Sequence, residues 1–156
     1  MHPDNQSPVQ YKIIHAVYGI TVFFLSLSGF AQMPIFKRYY IADIPGLGWL
    51  ARFYATHYIH YLGAILLLGL LGYLLTDYLL LQRNRVSITV TGFIRSILIA
   101  GIVLTGSMLV VKNLGDFFLS PSSIVLLDLC HLGFAMAFLT FVTYCRIFRK
   151  RWTIIQ

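Results

Sequence analysis

Four histidines and one cysteine stand at the edges of apolar runs in this chain: His15, His57, His60, His131 and Cys145. Imidazole nitrogen and thiolate sulfur are the side-chain ligands that transition metals take most readily. An imidazole inside a membrane span is costly unless something satisfies it, so each of these residues is a functional candidate. The plainer reading of any one histidine is a headgroup-level side chain bonded to a neighbouring carbonyl. Zinc fits the set poorly. It wants three or four ligands converging at one depth, and the richest level holds His57, His60, His131 and Asp128. A zinc-containing membrane hydrolase is therefore disfavoured.

The elements that must carry these residues follow from composition. Of 156 residues, 58% are hydrophobic and 11% charged, Glu is absent, and the mean hydropathy is +0.78. A soluble domain needs more charge on its surface, and the apolar residues fall in long uninterrupted runs. The pattern predicts an all-α integral membrane protein, one domain over 1–156, with spans near 13–32, 57–81, 93–111 and 124–145. The first run is long and has no small-residue cleavage site, so it reads as a retained span. Segment 33–56, with Pro34, Pro45, Gly46 and Gly48, reads as an interfacial loop holding a short helix around Gly48 to Arg52. QRNRVSITVT and KNLGDFFLSPSS read as short turns, and no sequence repeat is evident.

The net charge of +7 belongs to basic residues that cap the spans and form no stripe of their own, which points to lipid headgroups and not to nucleic acid. Of the 12 Lys and Arg, eight fall on the side of the termini: Lys12, Arg83, Arg85, Arg95, Arg146, Arg149, Lys150 and Arg151. The other four are Lys37, Arg38, Arg52 and Lys112. Eight against four predicts a multi-pass protein of the inner (plasma) membrane with both termini cytoplasmic. His57, His60 and His131 then lie at the outer face, and His15 and Cys145 at the inner face. Gly19, Gly63 and Gly133 follow the histidines closely, and glycine lets a backbone or a flat porphyrin approach a helix. Facing helices of a bundle are where cofactor ligands are placed, and haem iron takes axial imidazoles. The predicted architecture is a four-helix transmembrane bundle binding haem between helices.

Four stretches carry a family likeness: HAVYGITVFFLSLSG, RFYATHYIHYLG, GIVLTGSMLV and LLDLCHLGFAMAF. In this order, the chain resembles the cytochrome b (gamma) subunit of membrane-bound formate dehydrogenases. That family includes the cytochrome b subunits of nickel–iron hydrogenases and thiosulfate reductases. The likeness covers nearly the whole chain. It implies two b-type haems, both served by the fourth helix through ligands about 21 Å apart along its axis. The outer haem carries over to His131 with His60, or with His57 as the alternative. For the inner haem only His15 carries over, because Cys145 stands where the family has histidine. Cys145 is then either a thiolate ligand, which lowers the reduction potential, or an apolar filler beside a five-coordinate or missing inner haem.

The resemblance further implies an electron-transfer subunit with no catalytic centre beyond a quinone site. Its partners would be an iron–sulfur subunit and a catalytic oxidoreductase subunit acting on formate or hydrogen, with quinone as substrate near His15 and Cys145. The alternatives are a haem-free membrane anchor of a multi-subunit complex, and a small transporter using His and Asp as proton sites. Among the remaining polar residues, Arg95 is a candidate for a haem propionate, and Arg52 and Lys112 are its outer counterparts. Asp77 is either a proton relay or a helix-end residue, and Asp128 a hydrogen-bonding partner or a helix N-terminal acid. Met33, Met108 and Met136 read as packing. The RKRW tail reads as a membrane anchor or a contact for a soluble partner.

Overall fold

The computed structural model describes residues 8–33, 43–113 and 118–155. Pro34, Lys37 and Arg38 of the first loop lie outside the described residues. Four long helices dominate: α1 Pro8–Ala31, α2 Phe53–Asp77, α3 Val90–Val111 and α4 Pro121–Ile147. With 24, 25, 22 and 27 residues, each is long and apolar enough to cross a hydrocarbon core about 30 Å thick. The last turns beyond α2 widen into a π-helical stretch, Tyr78–Gln82.

The helices start up to five residues before the apolar runs suggest, and polar caps explain two of these offsets. The Thr89 hydroxyl accepts from the Gly92 amide at 2.9 Å, and the Ser120 hydroxyl accepts from the Ser123 amide at 3.2 Å, with Pro121 at the first helical position. Such residues satisfy the orphan amides of a first turn and lie outside the hydrophobic stretch, so hydropathy alone starts α3 and α4 three residues late. At the other end of α4, Arg146 complements the helix C-terminus.

Contacts divide the chain into two compact units, Met1–Leu81 and Gln82–Gln156. The first is the hairpin of α1 and α2. Gly63 meets Leu25, His60 meets Ser28, and His57 meets Gln32, a register in which one number rises as the other falls, so the helices run antiparallel. The expected short helix is present as one 3-10 turn, Gly48–Ala51, whose Leu50 is buried. The second unit is the hairpin of α3 and α4. Gly101 meets Phe134, Thr105 meets His131, and Lys112 pairs with Asp128 at 3.6 Å near the connecting turn.

One element of the second unit is not expected from the sequence. Residues Val86–Ile88 (β1) and Thr153–Ile155 (β2) form an antiparallel two-stranded ribbon, with Val86 opposite Ile155 and Ile88 opposite Thr153. Arg149 adopts φ +51°, the left-handed conformation that turns a chain out of a helix, and the Lys150 amide donates to the Cys145 carbonyl at 2.9 Å. The tail thereby returns to the start of α3. There Thr89 and Thr91 donate to its carbonyls, and Arg95 donates to Lys150 at 3.0 Å while lying over the Trp152 ring.

The distribution of side chains is inverted relative to a water-soluble core. Among the described residues, Thr21, Ser28, Thr56 and Thr105 are buried, whereas Phe138 is the only buried Leu, Ile or Phe of the four helices and about half of the others face outward. Water would penalise that arrangement strongly. Hydrocarbon favours it, because small hydroxyl residues let helices approach and bond internally while large apolar groups meet lipid.

Candidate cofactor site

In the first hairpin, His60 on α2 faces the end of α1. Its Nδ1 lies 3.1 Å from the Ser28 hydroxyl, and Ser28 is fully buried. The Ser28 hydroxyl also reaches back to the Phe24 carbonyl at 2.7 Å, the bond that a serine inside a helix makes to the residue four before it. Gly29 follows. A Cβ built there would sit 3.4 Å from His60 Cε1, so the Nδ1–Cε1 edge of the ring lies against the glycine.

The second hairpin repeats this arrangement. His131 on α4 places Nδ1 at 2.9 Å from the Thr105 hydroxyl on α3, and Thr105 is buried. Thr105 reaches back to the Gly101 carbonyl at 2.7 Å. Gly106 follows, and a Cβ there would sit 3.1 Å from His131 Cε1. His131 also hydrogen-bonds the backbone of Ile102. Hydroxyl, glycine and imidazole thus recur in the same order and the same contacts. The hydroxyl and histidine are 32 residues apart in one hairpin and 26 in the other, so the two copies align only across a gap in the connecting loop.

His57 has a different setting. Its Nδ1 lies 3.2 Å from the Gln32 side-chain oxygen, and its ring is flanked by Phe53 and Tyr61, with centroids at 5.3 and 4.3 Å. His15 is exposed on α1, and Cys145 is buried on α4 in the other unit. Arg95, the propionate candidate, has its guanidinium committed to the Lys150 carbonyl and the Trp152 face. Asp128 is the ion-pair partner of Lys112. Among the described residues, no group of three or more His, Cys, Asp or Glu side chains converges in the manner of a metal cluster.

The glycines sort differently from the expectation. Gly63 receives Leu25 of the partner helix at 3.0 Å and serves helix packing, and Gly19 and Gly133 have nothing described within 4 Å of a built Cβ. The glycines that meet imidazoles are Gly29 and Gly106, on the helices opposite the histidines. Their signal in the sequence is a Ser-Gly and a Thr-Gly dipeptide near the ends of α1 and α3. What the sequence alone does not disclose is that the hydroxyl, and not only the glycine, touches the ring.

The residues present suit an imidazole-ligated cofactor. Each ring bonds a buried hydroxyl through Nδ1 and packs beside a glycine of the partner helix, which restrains its orientation. Comparison of the chain with protein-family models, with curated proteins and with solved structures gives no match.

Proposed function

We propose that this chain is a membrane b-type cytochrome subunit of a respiratory oxidoreductase, carrying electrons between a redox partner and the quinone pool. The observation that supports it is the duplicated arrangement of hydroxyl, glycine and histidine, one copy in each hairpin. A structural histidine needs a partner once. Two copies of one device, in two apolar hairpins that otherwise share little sequence, point to two ligands of equal role. His60 and His131 are the residues that would hold haem iron, and haem when bound supplies a one-electron carrier. The repeat favours His60 over His57, whose ring is held by an amide and two aromatic neighbours.

The chain's own part is to bind, orient and shield. The apolar helices keep water from the imidazoles, and the hydroxyls hold the rings in one orientation. At the cytoplasmic end, His15 and Cys145 are proposed as the second, inner ligand pair, and a quinone is proposed to react near them. Arg95 is proposed as a propionate contact; its Nη2 bonds the Lys150 carbonyl, and its buried Nε has no hydrogen-bond partner among the described residues. An iron–sulfur subunit and a catalytic oxidoreductase subunit are the proposed partners, and the inner (plasma) membrane the proposed location.

The test is spectroscopic. Protein purified in mild detergent should show a Soret band and a reduced α band of b-type haem, and a pyridine haemochrome assay should count one or two haems per chain. His131→Ala and His60→Ala should each abolish the outer-haem signal, while His57→Ala should keep it. A colourless wild-type protein overturns the proposal and leaves a haem-free anchor as the role of the chain.

A further inference from the structure

Seven of the eight Lys and Arg residues in the second unit belong to one end of its hairpin: Arg83, Arg85, Arg95, Arg146, Arg149, Lys150 and Arg151. All but Arg95 are exposed. Among the described residues of that unit the one carboxylate side chain is Asp128, which pairs with Lys112 near the opposite end. Like charges repel, and a free basic tail would spread them apart. Here the backbone holds them together. β2 pairs with β1, the Thr89 and Thr91 hydroxyls bond the Arg151 and Trp152 carbonyls, and the Lys150 amide bonds the Cys145 carbonyl. Arg95 adds its charge beside the tail, with Nη2 on the Lys150 carbonyl and a buried Nε that has no acceptor among the described residues. A fixed cluster of cations without a counterion is a place for an anion.

An apolar groove of about 440 Å³ leads up to this cluster, lined by Leu139, Thr140, Thr143, Tyr144, Ile147 and Phe148 of the end of α4. It lies on the side of the helix away from Phe138 and Cys145, the side chains that α4 buries within its own hairpin. The Thr140 and Thr143 hydroxyls donate to the Met136 and Leu139 carbonyls, at 2.9 and 2.8 Å, so the groove offers mainly hydrocarbon. From Leu139 to Phe148 the helix rises about 14 Å, close to half of a hydrocarbon core about 30 Å thick. We propose that this end of the second hairpin is a binding site for an anionic phospholipid, with one acyl chain along the α4 groove and the phosphate against Arg149, Lys150 and Arg151. The pairing of parts selects the occupant: a groove one leaflet deep takes a fatty chain, and the cations at its mouth take the phosphate. The folded tail is what makes the site, because it fixes the three cations beside the groove. The proposal does not depend on haem.

Trp152 lies in the tail and reports on the site. In a Trp49→Phe background it is the one tryptophan left in the full chain, and its fluorescence is read in phosphatidylcholine bilayers containing brominated lipid. Brominated phosphatidylglycerol should quench it at a mole fraction about fivefold lower than brominated phosphatidylcholine, and Arg149→Gln or Arg151→Gln should each reduce that preference severalfold. Two variants keep every charge. Gly92→Ala, whose methyl meets the Trp152 carbonyl, should move the tail and remove most of the preference, and Thr143→Phe should do so by filling the groove. A preference untouched by both variants overturns the proposal, since loose charges alone then suffice. Equal quenching by the two lipids in the wild-type tail also overturns it, and the groove is then covered by the first hairpin or by a partner subunit. Inorganic phosphate that displaces the brominated phosphatidylglycerol better than chloride at the same ionic strength overturns a lipid as the occupant and leaves a small-anion site.

Discussion

A glycine one position after each hydroxyl leaves room for a flat ring, and the two copies differ in how much room. At Gly29 a methyl group would meet His60 Cε1 at 3.4 Å, an ordinary contact, whereas at Gly106 it would meet His131 Cε1 at 3.1 Å, which forces the ring to give way. Gly106→Ala should therefore displace His131 and lower haem content about tenfold, the lower bound for disturbing an oriented ligand. Gly29→Ala should leave haem content near that of the wild type. Absorbance at the Soret band per mole of protein checks both, and equal losses would count against the graded contact. Ser28 and Thr105 are equally local. Each hydroxyl bonds both a carbonyl of its own helix and an imidazole of the partner helix.

At the scale of elements, the C-terminal tail is tied to the start of α3 by backbone as well as side chain. β2 pairs with β1, Thr89 and Thr91 bond its carbonyls, and a Cβ at Gly92 would run into the Trp152 carbonyl. A backbone atom cannot swing aside as a side-chain tip can, so Gly92→Ala should dislodge the tail at a cost of roughly 1–3 kcal/mol, as overpacking does. Trypsin should then cleave after Arg149, Lys150 or Arg151 several-fold faster than in the wild type. Gly69→Ala, where nothing described lies within 4 Å, should leave the rate unchanged. The tail has Arg149, Lys150 and Arg151 beside Arg146, so the tie also holds a basic cluster at one end of the second hairpin. Such a cluster favours anionic headgroups.

For the whole molecule, the proposed inner-membrane topology is testable: four spans with the excess of Lys and Arg on the inner side would put both ends of the chain in the cytoplasm. In a Cys130→Ser background, Ser122→Cys before the core of α4 should react in intact cells with a membrane-impermeant maleimide. Ile154→Cys in the tail should react only after permeabilisation. The reverse pattern would turn the chain over and place His60 and His131 at the cytoplasmic face. Because the helices leave many large apolar side chains exposed, the protein should also aggregate without detergent or lipid.

Four apolar helices, their approximate ends and the basic bias of their flanks were legible in the amino-acid sequence. Hydropathy and charge act along the chain and need no partner to be read. The short turn at Gly48–Ala51 was legible for the same reason, since glycine and proline act locally. The histidines could be counted but not ranked: His57 and His60 are three apart and look alike until Gln32 is seen against one and Ser28 against the other. The pairing of Ser28 with His60 and of Thr105 with His131 joins positions 32 and 26 residues apart. The ribbon at the tail joins positions more distant still, Val86 to Ile155. Such contacts depend on how two helices lie against each other, and only the folded hairpins decide that.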